Sequence, residues 1–412
     1  MRARIIVAAV LVGAALAVVA STASGGTTAT NSITVWLQVD AQAPNWEPIV
    51  KAANAAFQKD HPGVAVNVQY QTWGNHLQKF DAALAGGNAP DVIEMGNTEM
   101  TKYMAAGAFQ DLTSERASFP NSSSWLEGLA ASGRFGGKLY GVPYYAGSRV
   151  VTYRTDLFKK AGLKVPTSLA ELTAAAKKLA RQNGDQKGFS PIYIAGTDWY
   201  VAMSFVADYG GSIAKQVSGK WKGTLASPKS IAGLTAYKNF FQAVSRASKT
   251  TDETRPNPYD VYAQGQAGSM IGPGWFSCCV GDKYKGLTAQ FVMPSKTKGQ
   301  PMPGFLGGSD LAVPVGASKA LAVDWIKAYT STASMTALRG IGNIPNTTSL
   351  LGNSVNERAA KRSWFVPTAK NWVNVENGNI LRNMLAQILT GRLTVKQAAQ
   401  SASDNITSVL NS

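Results

Sequence analysis

The chain has 412 residues, 45% of them hydrophobic and 16% charged, which excludes a disordered polypeptide and allows two domains or one large unit with two cores. Forty Lys and Arg against 24 Asp and Glu give a formal net charge of +16. The cations are scattered (Lys159-Lys160, Lys177-Lys178, Lys296, Lys298, Lys361-Arg362) and form no dense run interleaved with aromatics, so no nucleic-acid partner is expected. Attraction to an anionic cell wall or membrane surface is the simpler account of the charge.

In chain order, Arg2 and Arg4 precede an apolar run from Ile5 to Ala20, and Ser21-Thr22-Ala23 offers small residues for cleavage. Residues 1–23 are therefore expected to be a secretory signal peptide, the alternative being a membrane anchor that stays. Cleavage would lower the net charge from +16 to +14, because Arg2 and Arg4 leave with the peptide. Residues 24–32 form a flexible linker rich in Gly, Thr and Ser. No other stretch reaches transmembrane length.

Ile33 to Leu37 reads as a strand with Gln38 and Asp40 at its C-terminal end, where open α/β sheets place their ligands. Trp46, Ile49, Val50, Ala53 and Phe57 follow at helical spacing, stopped by His61-Pro62-Gly63. Val64, Val66, Val68 and Tyr70 alternate as a second strand; Leu77, Phe80 and Leu84 mark a helix. Asp91 to Met95 is a third strand, after which Gly96-Asn97-Thr98-Glu99 opens the next helix. This β-α-β-α-β rhythm predicts a parallel sheet flanked by helices.

Gly137 to Gly162 reads as two strands broken by Tyr144-Tyr145-Ala146-Gly147-Ser148, then a helix from about Thr155. Gly147 permits a bend there. Ser168 with Glu171, Ser227 with Pro228, and Ser318 signal helix starts. A short strand from Ile192 ends in Gly196-Thr197-Asp198-Trp199-Tyr200, and Ser269 to Ile271 runs into Gly272-Pro273-Gly274-Trp275. Gly304 to Pro314, with Gly307, Gly308 and Asp310, reads as a second crossing between lobes. Val395, Ala398, Ala402, Ile406 and Leu410 form one stripe on the last helix. The only cysteines, Cys278 and Cys279, are adjacent; a vicinal disulfide and two reduced thiols both remain open, since neighbouring Cα atoms lie ~3.8 Å apart. With only His61 and His76, a zinc cluster built on several His or Cys ligands is not expected.

Taken together, ITVWLQVD at 33–40, FQKDHPGVAVNVQY at 57–70, LAGGNAPDVIEMG at 84–96, YMAAGAFQDLT at 103–113, GKLYGVPYYAGSRVVTYRTDLFKKAGL at 137–163, GSMIGPGW at 268–275 and LTGRLTVKQAA at 389–399 resemble the extracellular sugar-binding proteins of bacterial ABC importers. These are the large type that includes maltose-binding protein, and the match covers nearly the whole mature chain. The stretch 137–163 and GFLGGSD at 304–310 are most similar to actinobacterial binders of N,N′-diacetylchitobiose and related sugars. A departure is that the lipid-attachment cysteine of many Gram-positive members is missing at the cleavage site.

The resemblance implies an α/β, two-lobed, type II periplasmic-binding-protein-like fold, each lobe a mostly parallel sheet flanked by helices and joined by hinge crossings. Lobe I is expected at 33–146 plus 308–350 and lobe II at 147–307 plus 351–412, with Gly147, Gly307 and Gly308 as hinge positions. It further implies an oligosaccharide bound between the lobes, delivery to the transmembrane subunits of an ABC permease, a monomeric state, an exported location, and no cofactor or metal. Aromatic rings stack on the C–H faces of pyranoses, while carboxylates and amides bond the hydroxyl rim. On that basis the expected ligand-binding residues are Gln38, Asp40, Trp73, Asn97, Glu99, Tyr144, Tyr145, Arg149, Asp198, Trp199, Trp275, Asp310 and Trp372. Each has a structural alternative. Asp40 and Asp198 suit helix caps, Trp73 a core aromatic, and Arg149 an ion pair. Glu94, inside a strand, is read as structural.

Two competing functions fit fewer residues. A secreted glycoside hydrolase would need an acid–base carboxylate pair, and none stands out. A ferric-ion clamp would use Tyr144 and Tyr145, but the tryptophans favour sugar.

Overall fold

The computed structural model describes residues 31–412, so the expected signal peptide and residues 24–30 of the linker lie outside the described residues. Ile33, Val35 and Leu37 alternate with Thr34 and Trp36, and this alternation becomes the strand Ser32–Gln38 with the three aliphatics fully buried. Its neighbour Ala65–Gln71 and the strand Val92–Gly96 pair with it in parallel. The helix Glu47–Asp60 lays Ile49, Val50, Ala53 and Phe57 on the resulting face.

The six-stranded sheet of this first unit, lobe I, runs in the order Ile344–Pro345, Gly141–Gly147, Gly307–Ala312, Val92–Gly96, Ser32–Gln38, Ala65–Gln71. The sheet is mixed. Parallel pairing is confined to the N-terminal three strands, because Gly141–Gly147 and Gly307–Ala312 come in through crossings and pair antiparallel. The second unit, lobe II, is centred on Ser269–Pro273, Arg149–Arg154 and Thr288–Phe291, all antiparallel. The expected strand from Ile192 is reduced to parallel bridges, Ser190 with Ala267 and Tyr193 with Met270.

Two large apolar cores result. One draws on residues between Ile33 and Tyr144 and between Leu311 and Leu338; the other on Val151 to Phe305 and Val366 to Leu410. A small cluster of Leu129, Ala146, Leu306 and Ile344 lies where the crossings meet. The last helix, Val395–Asn411, buries Ala398, Ala402, Ile406 and Leu410 in the second core, as its stripe predicts.

The first crossing is tighter than the sequence suggests. Tyr144 to Gly147 belong to the strand Gly141–Gly147, and Ser148 alone separates it from Arg149–Arg154. The second crossing passes through Leu306, between Gly304–Phe305 and Gly307–Ala312. Gly308 faces Ala146 across the ladder, and a Cβ there would overlap the carbonyl oxygen of Tyr145, so the close pairing requires glycine. Gly147 is not under that constraint: the nearest atom to a Cβ would be Pro273 Cβ at 3.9 Å. A third passage leads from Ile344–Pro345 to Ser363–Trp364, and Asn356 on it clasps the first crossing, its Oδ1 accepting from Ser148 N at 3.0 Å.

Helix-start signals are met in part. Ser168 and Ser227 accept from the backbone N–H three residues on, but Glu171 reaches back to Thr167 N rather than completing a box with Ser168. Ser318 makes no side-chain cap; its backbone N donates to Asp91 Oδ1 instead. Full capping boxes appear at Ser354 with Glu357 and Thr394 with Gln397. Cys278 and Cys279 are joined as a disulfide.

Candidate ligand-binding cleft

A cleft of about 270 Å³ opens where the crossings pass between the two cores. Its floor is the crossing backbone of Gly147, Ser148, Gly307, Gly308 and Ser309. Its lobe I wall carries Trp73, Asn97, Thr98, Glu99 and Tyr145, and its lobe II wall Arg149, Tyr200, Trp275, Phe305 and Glu376. The volume lies just below the ~300–1,000 Å³ common for small-molecule pockets, which suits a compact ligand.

The lobe I wall is positioned by polar bonds. Gly96 ends its strand and the helix Met100–Ala105 follows, so Asn97 to Glu99 form the turn at the strand's C-terminal edge. Glu99 Oε2 accepts from Gly96 N at 3.0 Å and from His76 Nε2 at 2.9 Å. Burial works against the His76 cation, but the Glu99 hydrogen bond and the charges of Glu99 and Glu94 outweigh it and raise its pKa. Asn97 Nδ2 donates to Leu306 O at 3.2 Å, tying the turn to the second crossing. Trp73 is 40% exposed, and its Nε1 donates to Asp40 Oδ2 at 2.8 Å. Tyr145 meets Trp46 and Tyr144 edge-on at 4.9 and 4.8 Å. Burial, then the carboxylates of Glu94 and Asp40, push its phenol well above the ordinary range, so it remains an O–H donor at neutral pH.

The lobe II wall is aromatic. Arg149 lies over the Tyr200 ring at 4.2 Å and 5.9 Å from the centre of the Phe305 ring, and its Nε finds no partner in the protein among the described residues. Tyr200 and Phe305 pack at 4.8 Å, and Trp364 backs Phe305 at 5.1 Å. Trp275 stands edge-on to Phe276 at 4.7 Å, in the turn after Ser269–Pro273. Glu376 Oε1 accepts from Trp372 Nε1 at 2.8 Å, and its Oε2 accepts from Thr98 Oγ1 at 3.3 Å, a bond that spans the two walls. Burial pushes the Glu376 carboxyl up to about 7, against the lowering effect of those bonds. Flat rings beside carboxylates, a guanidinium and hydroxyls can grip a ligand with apolar faces and a polar rim.

Residues 42–336 match the family model described as bacterial extracellular solute-binding protein. The chain belongs to that family. The diacetylchitobiose binding protein DasA of Streptomyces coelicolor is 31% identical over 383 residues, covering 90% of this chain and 88% of that protein. Among solved structures, the GacH receptor of Streptomyces glaucescens superposes with a TM-score of 0.79 at 21% identity, over 92% of this chain and 98% of that one. Maltose-bound MalE3 of T. maritima superposes at 0.76 and 19% identity, over 92% and 100%. These likenesses establish the two-lobed type II fold for this solute-binding protein.

In the solute-binding protein, Trp73, Asn97, Glu99, Tyr145, Arg149 and Trp275 come together in the cleft, with Gly147, Gly307 and Gly308 in its floor. The other expected site residues do not line it. Successive strand residues point to opposite faces, so Tyr144 turns into the lobe I core, where its hydroxyl bonds Trp46 Nε1 and the Tyr329 hydroxyl. This removes the paired phenolates that a ferric clamp would need. Gln38 is buried and donates through Nε2 to Glu94 O, while its backbone N donates to Glu94 Oε2. Burial pushes that Glu94 carboxyl up to about 7. Asp40 accepts from the Trp73 indole and so fixes that ring without lining the cleft itself. Asp198 caps the helix Trp199–Asp208, accepting from Val201 N at 3.1 Å. Trp199 and Trp372 pack in the lobe II core at 6.1 Å from each other. Asp310 is fully buried and accepts from Ser132 Oγ at 2.7 Å; burial pushes its carboxyl up to about 8.

Sequence reasoning missed Thr98, Ser148, Tyr200, Phe305, Ser309 and Glu376 as cleft residues. A signal existed for two of them. Trp199, Ala202, Met203 and Val206 form an i, i+3, i+4, i+7 stripe, which makes Trp199 core and leaves Tyr200 off that face. Glu376 lies one turn beyond Trp372, within reach of its indole. Phe305 carried no such signal.

Proposed function

We propose that this chain is the ligand-capturing subunit of an ABC sugar importer and binds a compact oligosaccharide, of the N,N′-diacetylchitobiose type, between its lobes. The lobes are assigned as 33–146 plus 308–350 and 147–307 plus 351–412, with Gly147, Gly307 and Gly308 at the hinge. The protein acts outside the membrane as a monomer, closes on the sugar by hinge motion and hands it to the permease's transmembrane subunits. The observation that carries this reading is the pairing of opposed walls: Trp73, Tyr145 and Glu99 line one side and Trp275, Arg149 and Glu376 the other, with Tyr200 stacked between Trp199 and Arg149 and Phe305 packed beside it. Rings on both sides suit a pyranose, whose two faces are apolar. The similarity to a diacetylchitobiose binding protein over most of both chains supports the sugar class.

A thermal-shift panel of chitobiose, N,N′-diacetylchitobiose, cellobiose, maltose and trehalose tests the proposal. The matching sugar at about 100 times its Kd should add ~2.7 kcal/mol of stability. No shift with any member of the panel, together with unchanged tryptophan fluorescence, would refute it. The protein binds without chemistry on this reading, so no new reducing ends should appear during incubation with the matching sugar.

A further inference from the structure

Charge is divided very unevenly between the lobes. Residues 33–146 and 308–350 hold ten Lys and Arg against twelve Asp and Glu, net −2; residues 147–307 and 351–412 hold 28 against 12, net +16. Ion pairing does not even this out. Of the lobe II cations, only Arg154, Lys285, Lys298, Arg362 and Arg382 sit in ion pairs among the described residues.

The excess is sharpest on a hairpin that stands apart from both main sheets. Ala214–Val217 and Lys220–Gly223 pair only with each other, joined by Ser218 and Gly219 in the left-handed region at φ 51° and 78°. The register sets Lys215 opposite Lys222 and Val217 opposite Lys220, so three lysines and a valine share one face. Like charges placed directly across a ladder destabilise it, and no carboxylate lies within ion-pair distance of these three among the described residues. The backbone is nevertheless held firmly. Trp221 N donates to Asn411 Oδ1 at 3.0 Å, Asn411 Nδ2 donates to Trp221 O at 2.8 Å, and Gly223 N donates to Thr407 Oγ1 at 2.8 Å. Val217, near the tip, is 55% exposed.

We propose that this face of lobe II docks on an anionic phospholipid bilayer, with lipid phosphates neutralising Lys215, Lys220 and Lys222 and Val217 entering the headgroup layer. Val217, Lys220 and Lys222 border a broad open hollow against the last helix, but a small soluble anion would call for buried donors, and exposed lysines on flexible stems around an exposed apolar tip fit an extended surface instead. Each such lysine contributes about 1 kcal/mol near an anionic membrane, and the field of a net +16 lobe adds to it. Because lobe I is net −2, the same field turns lobe II toward the membrane.

Co-sedimentation of the full chain with phosphatidylcholine vesicles containing roughly 30% phosphatidylglycerol tests this, with pure phosphatidylcholine vesicles as the neutral comparison. The variant Lys215→Gln/Lys220→Gln/Lys222→Gln should bind the anionic vesicles at least about tenfold more weakly than the wild type. Raising salt to about 500 mM should release the wild type. Lys51→Gln/Lys59→Gln/Lys79→Gln, on lobe I, should bind within about twofold of the wild type and keep its unfolding midpoint, while the hairpin variant should unfold at or slightly above that midpoint. Equal binding to neutral and anionic vesicles would overturn the proposal. So would an unaffected hairpin variant, or binding to soluble polyphosphate in place of vesicles. None of these outcomes depends on which sugar the cleft takes.

Discussion

On the lobe I wall Trp73, Asn97 and Glu99 are each fixed by a polar bond to Asp40, Leu306 O or His76, whereas on the lobe II wall Arg149, Tyr200, Trp275 and Phe305 are held mainly ring against ring. The difference teaches how labour is divided in such a cleft. Polar groups are useful to a ligand only if their direction is set in advance, which hydrogen bonds to a neighbouring strand or helix can do. Apolar platforms need area and rigidity, which stacked aromatics provide with few rotatable bonds. Lobe I thus adds directed acceptors and donors to its own rings, and lobe II rests its wall on packed aromatics that carry Arg149 and Glu376.

The comparison depends first on the seam that sets the walls face to face. Gly308→Ala forces a methyl group onto the Tyr145 carbonyl and should cost about 3 kcal/mol or more, read by denaturant unfolding. Gly147→Ala, with open space around it, should stay within about 0.5 kcal/mol. Equal costs would mean that the two crossings are not packed as described. The lobe II platform is broken next: Trp275→Ala should weaken sugar binding by roughly 2 kcal/mol, seen by fluorescence titration, with the unfolding midpoint unchanged.

Buried carboxyls in both lobes make stability depend on pH. Asp310 and Glu94 in lobe I and Glu376 in lobe II have folded pKa values of about 8, 7 and 7, against ordinary values of 3.8, 4.5 and 4.5. A carboxyl raised on folding makes the folded state bind more protons across that window. These groups therefore favour the fold at low pH, and their contribution falls as pH rises from about 4 through 7 and 8. His76, with its raised pKa, acts in the same direction: its contribution is present below the ordinary 6.5 and lost above its folded value. Asp310→Asn should reduce the loss of stability between pH 5.5 and 8.5 by at least ~1 kcal/mol, measured by urea unfolding at both pH values. An unchanged pH slope would remove Asp310 as a cause. The smallest expected effect is Trp73→Phe, which keeps a ring but frees Asp40, and should weaken sugar binding by about 1 kcal/mol.

Much of the fold was legible because its signals are local. The alternation of Ile33, Val35 and Leu37, the Phe57 stripe and the final helix stripe each translate directly into a buried face. The mixed pairing in lobe I was not legible, since it depends on strands more than 150 residues apart meeting at the crossings. The cleft was half legible. Trp73, Tyr145, Arg149 and Trp275 sit where their strands or turns end, which sequence position can suggest. Tyr144, Trp199 and Trp372 were expected from the positions the family resemblance implies, and the period of their own strand or helix turns each one inward. Glu376 went unseen because its role comes from Thr98, 278 residues away.

Calorimetric titration of N,N′-diacetylchitobiose into the wild type, Trp73→Ala, Trp275→Ala and the double variant tests the two-walled cleft most directly. Saturable binding at one site, weakened by either substitution and abolished by both, is the expected result. Wild-type affinity in the double variant would contradict the account.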